Sequence, residues 1–386
     1  MRIVVLGMIG RFPFAGHAWV YLNWLRGFQR RGYEVWYVED DSVWPYDPVQ
    51  NTVTDDCTYA VDHVARCMAR IGLERNWAFR LADRPEACWG LTAGALDQLY
   101  ASCDLLVNLQ GGTGLREPHL QAPCRIYVQS DAVTSELRLA NGDEKTRDAF
   151  ADHHVIATYG ENYGSRDCGV PLNGIGYIKT RQPVDLTLWP RSYTPDARNF
   201  TTIGNYRQTG NDVEYRGELY RWSKHHEWER VIDLPRAAGQ TFELAMMPEA
   251  TDDQNRLRSH GWQLISPLQM SLDVFGAYPD YIRASRAEFT VAKDQNVRLR
   301  SGWFSDRDVC YLASGKPVVA QDTGFSNVFP TGEGLFGFTG REDARAAIEA
   351  INRDYRRHCE AARGIAEDFF EAAGVVGRLL RDAGLS

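Results

Sequence analysis

Residues 298–325, RLRSGWFSDRDVCYLASGKPVVAQDTGF, place a glycine-containing turn directly before a helical run, with cations around it. Gly302-Trp303-Phe304-Ser305-Asp306 leads into Arg307 to Ala313, which Gly315 and Pro317 stop. A bound diphosphate needs backbone N–H donors, a helix N-terminus and one or two cations. The turn from Ser301 to Asp306 can supply the first two, and Lys293, Arg298, Arg300 or Arg307 the third. The dipole of such a helix contributes ~0.3–1 kcal/mol toward an anion. Without a ligand, the same residues are a helix cap and surface arginines. A second residue with chemistry is His17, at the mouth of the loop GMIGRFPFAGHAW. A histidine there serves equally well as a helix-start residue bonded to backbone.

Other chemistries find less support. The glycines of that loop stand at 7, 10 and 16 and do not form G-x-G-x-x-G, although Glu39, Asp40 and Asp41 after the second strand keep a nicotinamide reading open. His153-His154 and His225-His226 are adjacent pairs, which a strand would point to opposite faces. Asp306-Arg307-Asp308 opens a helix. No essential metal is expected.

These residues need a scaffold, and the hydrophobic pattern specifies one. Ile3 to Gly7 is a short apolar run of the kind buried in a parallel sheet. A helical pattern over 20–31 closes at Gly32, and YEVWYVEDD alternates into a second strand. Helical patterning covers 57–71 and 90–102, and strands are expected at 103–112, 124–131 and 153–162. Residues 180–200 hold Pro183, Pro190 and Pro195 without periodicity. The pattern then restarts: strand FTTIGNY, a helix over RGELYRWSKHHEWERVIDLP, strand TFELAMM, strand GWQLI, helix YPDYIRASR, strand AEFTVAK, and the opening segment. From Arg341 onward the chain is almost wholly helical. Alternating strands and helices favour doubly wound sheets. The expected division is an N-terminal Rossmann-like domain over 1–185, a linker over 186–199, a second such domain over 200–360, and a C-terminal helix over 361–386 that packs back across the first domain.

Composition narrows the partners. The 386 residues carry 44% apolar content and a formal charge of −8, with no basic cluster interleaved with aromatics. Nucleic acid is therefore not an expected partner, because phosphate neutralisation supplies most of that affinity. The eight cysteines (57, 67, 88, 103, 124, 168, 310 and 359) include no CxxC pair and read as reduced thiols. MRIVVLGMI has no small-residue cleavage site, and no apolar run reaches the ~18 residues of a membrane span. A cytoplasmic protein is expected; no oligomer interface is legible.

The two-domain plan, and above all residues 289–325, resembles the GT-B glycosyltransferases. Ala313-Ser314-Gly315-Lys316-Pro317-Val318-Val319-Ala320 is similar to the Ala-x-Gly-x-Pro-Val tail of their donor segment, and Ser301-Gly302-Trp303-Phe304-Ser305 is similar to a Gly/aromatic turn preceding it. The resemblance covers the whole chain as architecture and about forty residues as motif. It implies a nucleoside diphosphate sugar (UDP, GDP or dTDP) as co-substrate on the C-terminal domain, no further cofactor, and a small-molecule or glycan acceptor on the N-terminal one. It places Gly204-Asn205-Tyr206-Arg207 near the phosphates, Asp322-Thr323-Gly324 beside the sugar, and residues near 261–267 at the base. On the acceptor side it implies Phe14, Gly16 and the Gly111-Gly112-Thr113 strand end, with His17 as general base steadied by Asp131 or, as a second candidate, Glu161.

Two departures qualify the resemblance. The E-x7-E pair of retaining relatives would fall at Gly302 and Cys310, so both glutamates are absent, and the diphosphate histidine of plant-type enzymes would fall at Arg300 or Ser301. Transfer with inversion, independent of metal, is the expectation. Alternatives are a nucleotide-sugar epimerase of the same fold, an NAD-dependent oxidoreductase and a non-catalytic sugar-nucleotide binder.

Overall fold

The computed structural model describes residues 1–385. The apolar run Arg2–Leu6 is central to an eight-stranded sheet, with Ile3 to Leu6 fully buried. Across this sheet the strands run Ile178–Lys179, Val155–Thr158, Arg125–Gln129, Leu105–Leu109, Arg2–Leu6, Glu34–Asp41, Trp77–Leu81 and Arg84–Trp89. All pairs are parallel except the last. A second, wholly parallel sheet is ordered Trp262–Leu264, Phe242–Ala245, Phe200–Ile203, Ala287–Thr290, Val318–Gln321 and Leu335–Phe338. In each sheet the order reverses beside the first strand, and the crevice at the carboxyl ends of such a switch point is where open α/β sheets take ligands.

The pattern over 216–235 does not form one helix. Arg216 (φ 54°) and Gly217 (φ 78°) turn a hairpin between Val213–Tyr215 and Glu218–Tyr220, and the short helices His225–Arg230 and Leu234–Ala238 follow. Two consecutive positive φ angles match the twist of a two-residue hairpin loop, and they override the helical spacing. The strands Trp77–Leu81 and Arg84–Trp89 are a further pair that the hydrophobic pattern did not reveal.

The helical tail resolves into Arg341–Arg353, Tyr355–Phe369 and Ala372–Asp382. The last lies against the helix Ala15–Arg30 of the first sheet's layer. Gly27 permits this approach: a Cβ there would stand 2.6 Å from Val376 Cγ2 and 2.8 Å from the Ala372 carbonyl oxygen. The chain thus crosses between the sheets twice, and the crossings are bonded to each other. Val184 N–H donates to the Phe370 carbonyl (2.7 Å), and Ala372 N–H to that of Val184 (3.0 Å). Among the described residues no helix is long and apolar enough to span a membrane.

Direct contacts also fasten the two halves together. Trp303 Nε1–H donates to the Ser130 carbonyl (2.7 Å), Gln295 to Thr134 Oγ1 (2.8 Å) and Trp19 Nε1–H to the Val274 carbonyl (2.9 Å). Gly302, at φ 82°, lies so close to the first domain that a Cβ would be 2.3 Å from Asn162 N. Gly302→Val therefore combines a left-handed backbone cost of ~1–2 kcal/mol with a wedge between the domains. The expected result is a larger radius of gyration by small-angle scattering and faster hydrogen exchange over 160–167, with secondary structure retained; an unchanged profile refutes the close-contact role.

Candidate active site

The carboxyl ends of Phe200–Ile203 and Ala287–Thr290 open into a pocket of about 250 Å³, lined by Gly204, Asn205, Lys224, Thr290, Lys293, Trp303, Ser305 and Arg307 among others. Three cations enter it, and they differ in their partners. Arg307 ion-pairs with buried Glu288 and donates to the Ile203 carbonyl (2.7 Å) and Thr290 Oγ1 (2.9 Å). Lys293 Nζ donates to Asp131 Oδ2 (2.5 Å) and stands 3.9 Å from the Trp222 ring centroid. Lys224, half-buried with Nζ 5.4 Å from the Trp303 ring, forms no ion pair or side-chain hydrogen bond among the described residues. Burial, with repulsion from Arg307 and Lys293 set against attraction to Asp308 and Glu288, lowers the Lys224 pKa to about 7. A desolvated cation without an ion pair is a receptor for an anion. Lys224 is hidden in the sequence because the hairpin ahead of it carries helical spacing; the Lys-His pair at the start of the helix His225–Arg230 is the one signal of it.

The pocket communicates with a larger cleft of about 770 Å³ between the domains, the two sharing Ile203, Gly204, Asn205, Ser305 and Arg307. His17 lies on the N-terminal wall, two residues into the helix Ala15–Arg30, with its ring 5.4 Å from that of Phe12. Burial lowers its pKa to about 4, so the imidazole is neutral near pH 7, and its Nδ1 is buried without a partner. Asp306, first residue of the helix Asp306–Ala313, faces the same cleft. Burial and the nearby Asp308 raise its pKa to about 7, against the stabilising Tyr159 hydroxyl and Arg307. Phe14 and Gly16 also line this cleft.

The first βα loop is fixed from beneath by Glu39. Its carboxylate accepts from Gly10 N–H (2.5 Å), Arg11 N–H (3.0 Å) and the Tyr37 hydroxyl (2.7 Å). Asp40 is buried and ion-paired with Arg80 (2.7 Å), and Asp41 lies 3.5 Å from Arg11. The acids that kept a nicotinamide reading open are thus taken up by the fold.

Several expected site residues stand elsewhere. Asp131 is bonded to Lys293 and to Trp222 Nε1 (2.9 Å), so it bridges the domains and gives His17 no hydrogen bond. Glu161 is buried on Arg181 (2.5 Å), also away from His17. Arg207 ion-pairs with Asp253. Arg300 reaches Asp167 (2.7 Å), and Gly302 abuts Asn162. Asp322 turns onto its own loop, accepting from Gly324 N–H (2.9 Å) and the Ser326 hydroxyl (2.9 Å), while Thr323 donates to the Trp303 carbonyl (2.5 Å). Ser301 is buried on Asn296 (2.7 Å), and Phe304 packs against Phe325, Phe329 and Phe370. In the glycine-rich strand end, Gly111 and Gly112 pack on Tyr127 and Met8, and the Thr113 carbonyl accepts from Asn108 (2.9 Å). Gln110 is the residue of that loop that reaches the cleft. Gly204, Asn205, Lys293, Trp303, Ser305 and Asp306 remain on the pocket or the cleft.

No protein-family model matches the sequence, and no curated protein is similar to it. Solved structures are similar over their whole length. An alpha-glucosyltransferase in complex with UDP is 12% identical, with 100% of both chains covered and a TM-score of 0.58. HepE from Anabaena, in complex with UDP and glucose, is 11% identical, covering 100% of this chain and 99% of its own, at a TM-score of 0.56. AviGT4, a glycosyltransferase involved in avilamycin A biosynthesis, is 13% identical over 99% of this chain and 96% of its own, at a TM-score of 0.52. At these identities the shared property is architecture: the chain has the GT-B fold, two parallel-sheet α/β domains facing across a cleft.

Proposed function

We propose that the protein is a glycosyltransferase that moves a sugar from UDP-sugar to a hydroxyl-bearing acceptor, with inversion and without a metal. The observation that carries this reading is Lys224, an unpaired cation at the switch point of the second sheet. The helix Asp306–Ala313 cannot hold a diphosphate on its dipole alone, because Asp306 and Asp308 occupy its first turn. Lys224 supplies the missing charge, with Lys293 and the backbone of Gly204 and Asn205 close by. The nucleoside extends along the C-terminal wall of the larger cleft, where Pro267, Leu268 and Ser271 lie just beyond the strand Trp262–Leu264.

The acceptor enters from the opposite wall. Its oxygen attacks the anomeric carbon as the bond from that carbon to the diphosphate oxygen breaks. The acceptor proton passes to neutral His17, and the leaving diphosphate takes the bonding electrons and is stabilised by Lys224. His17 and the 305–307 segment stand on facing walls of one cleft, which suits attack opposite the leaving group.

Lys224→Ala is expected to weaken UDP binding by ~10–100-fold, the effect of losing a charged hydrogen bond of ~1.5–3 kcal/mol. The empty-state pKa of about 7 rises when an anion binds. Affinity is therefore full below pH 7, falls as pH increases above it, and levels off once the bound-state pKa is passed. Calorimetry from pH 7 to 9 in buffers of differing ionisation enthalpy should show proton uptake in the parent and none in the variant. PH-independent affinity in the parent refutes the assignment.

His17→Ala should lower turnover by ~100-fold or more while leaving UDP affinity unchanged. With His17 as base, the acid limb of kcat/KM lies near its pKa of about 4; a limb near 7 that Asp306→Asn abolishes transfers the role to Asp306. Turnover should survive EDTA, and NMR of the product should show the anomeric configuration inverted. Retention of configuration overturns the mechanism, and conversion of the UDP-sugar to an isomeric UDP-sugar without net release of UDP points to epimerase chemistry instead.

A further inference from the structure

Resting on that reading, we infer that the acceptor is an uncharged, flat apolar molecule carrying a hydroxyl, seated on the N-terminal wall of the cleft. The wall is aromatic. Phe12 stacks near His17 at 5.4 Å between centroids, and Phe14 lies 5.6 Å from Tyr46. Tyr46 is itself held by its N–H on the Arg11 carbonyl (3.0 Å) and its hydroxyl on Asn51 (2.5 Å). Phe12, on this wall, is 37% exposed. A cluster of large apolar side chains left open on a pocket wall marks a ligand that is itself apolar.

Charge excludes the other acceptor classes. Arg11, the cation of the loop, is committed to the Gly112 carbonyl (2.8 Å) and to Asp41 (3.5 Å). Arg307 is committed to Glu288. Of the other ionisable groups on the cleft, His17 is neutral and Glu249 and Asp306 are acidic. A nucleic acid needs Lys or Arg at its phosphates and meets carboxylates here. An oligosaccharide needs a row of free hydrogen-bonding side chains, whereas the polar side chains of this wall are engaged: Asn23 accepts from Asp185 N–H (3.0 Å), Gln110 from the Tyr21 hydroxyl (2.7 Å), and the Tyr46 hydroxyl is on Asn51. A planar ring stacks on Phe12 and Tyr46, and its hydroxyl is carried to the imidazole.

The test uses 4-methylumbelliferone, maltotriose and a duplex containing 5-hydroxymethylcytosine, each with and without UDP. Saturable quenching of the coumarin is expected, weakened at least tenfold in Phe12→Ala and in Tyr46→Ala, with UDP affinity unchanged in both. Equal or stronger competition by maltotriose or by the duplex overturns the inference, as does coumarin affinity that neither substitution alters. Absence of UDP binding in the parent removes the transferase reading, while the coumarin arm still decides this one through its direct binding signal.

Discussion

A parallel sheet gathers all its carboxyl ends along one edge, and every loop leaving that edge carries polar backbone that must find partners. This protein sets two such edges face to face. Everything about the site follows from that constraint: the loops after Arg2–Leu6 and Leu105–Leu109 form one wall, and those after Phe200–Ile203 and Ala287–Thr290 the other. Each wall satisfies its own backbone from below, through Glu39 on one side and Arg307 on the other.

The two walls differ in electrostatic character. The C-terminal side concentrates Lys224, Lys293 and Arg307 around a small pocket, yet of these only Lys224 forms no ion pair among the described residues. The N-terminal side presents rings, a neutral imidazole and amides. An overall charge of −8 therefore coexists with one local site for an anion. In a partly desolvated pocket, a cation free of any ion pair acts at short range, whereas the field of the outer acidic surface is screened beyond ~10 Å at ordinary salt.

The fold was legible wherever short apolar runs alternated with helical spacing, as at Ile3 to Gly7 and along 306–320. Legibility failed where a turn contradicted periodicity. Arg216-Gly217 breaks an apparent helix because both residues adopt positive φ, and apolar spacing carries no record of that choice. The site was legible by segment more than by residue. Ser305, Asp306 and Lys293 lie where the turn–helix pattern indicated, but Gly302 and Asp322 of the same segment face the other domain or their own loop, and Asp131 of the first domain is taken by Lys293. Which side of a loop a residue faces is set by tertiary partners such as Asn162 and Trp222, and these are far away in sequence.

The seating of Ala372–Asp382 against the helix Ala15–Arg30 has a consequence for the order of folding. The groove at Gly27 is filled by Ala372 and Val376, so the first domain completes its packing only after the second has been synthesised. A nascent chain emerging from the ribosome can form the eight-stranded sheet early, but it exposes an apolar helix face until the last residues arrive. Domains usually fold as units in the order they are made. Here the final step of folding belongs to the beginning of the chain.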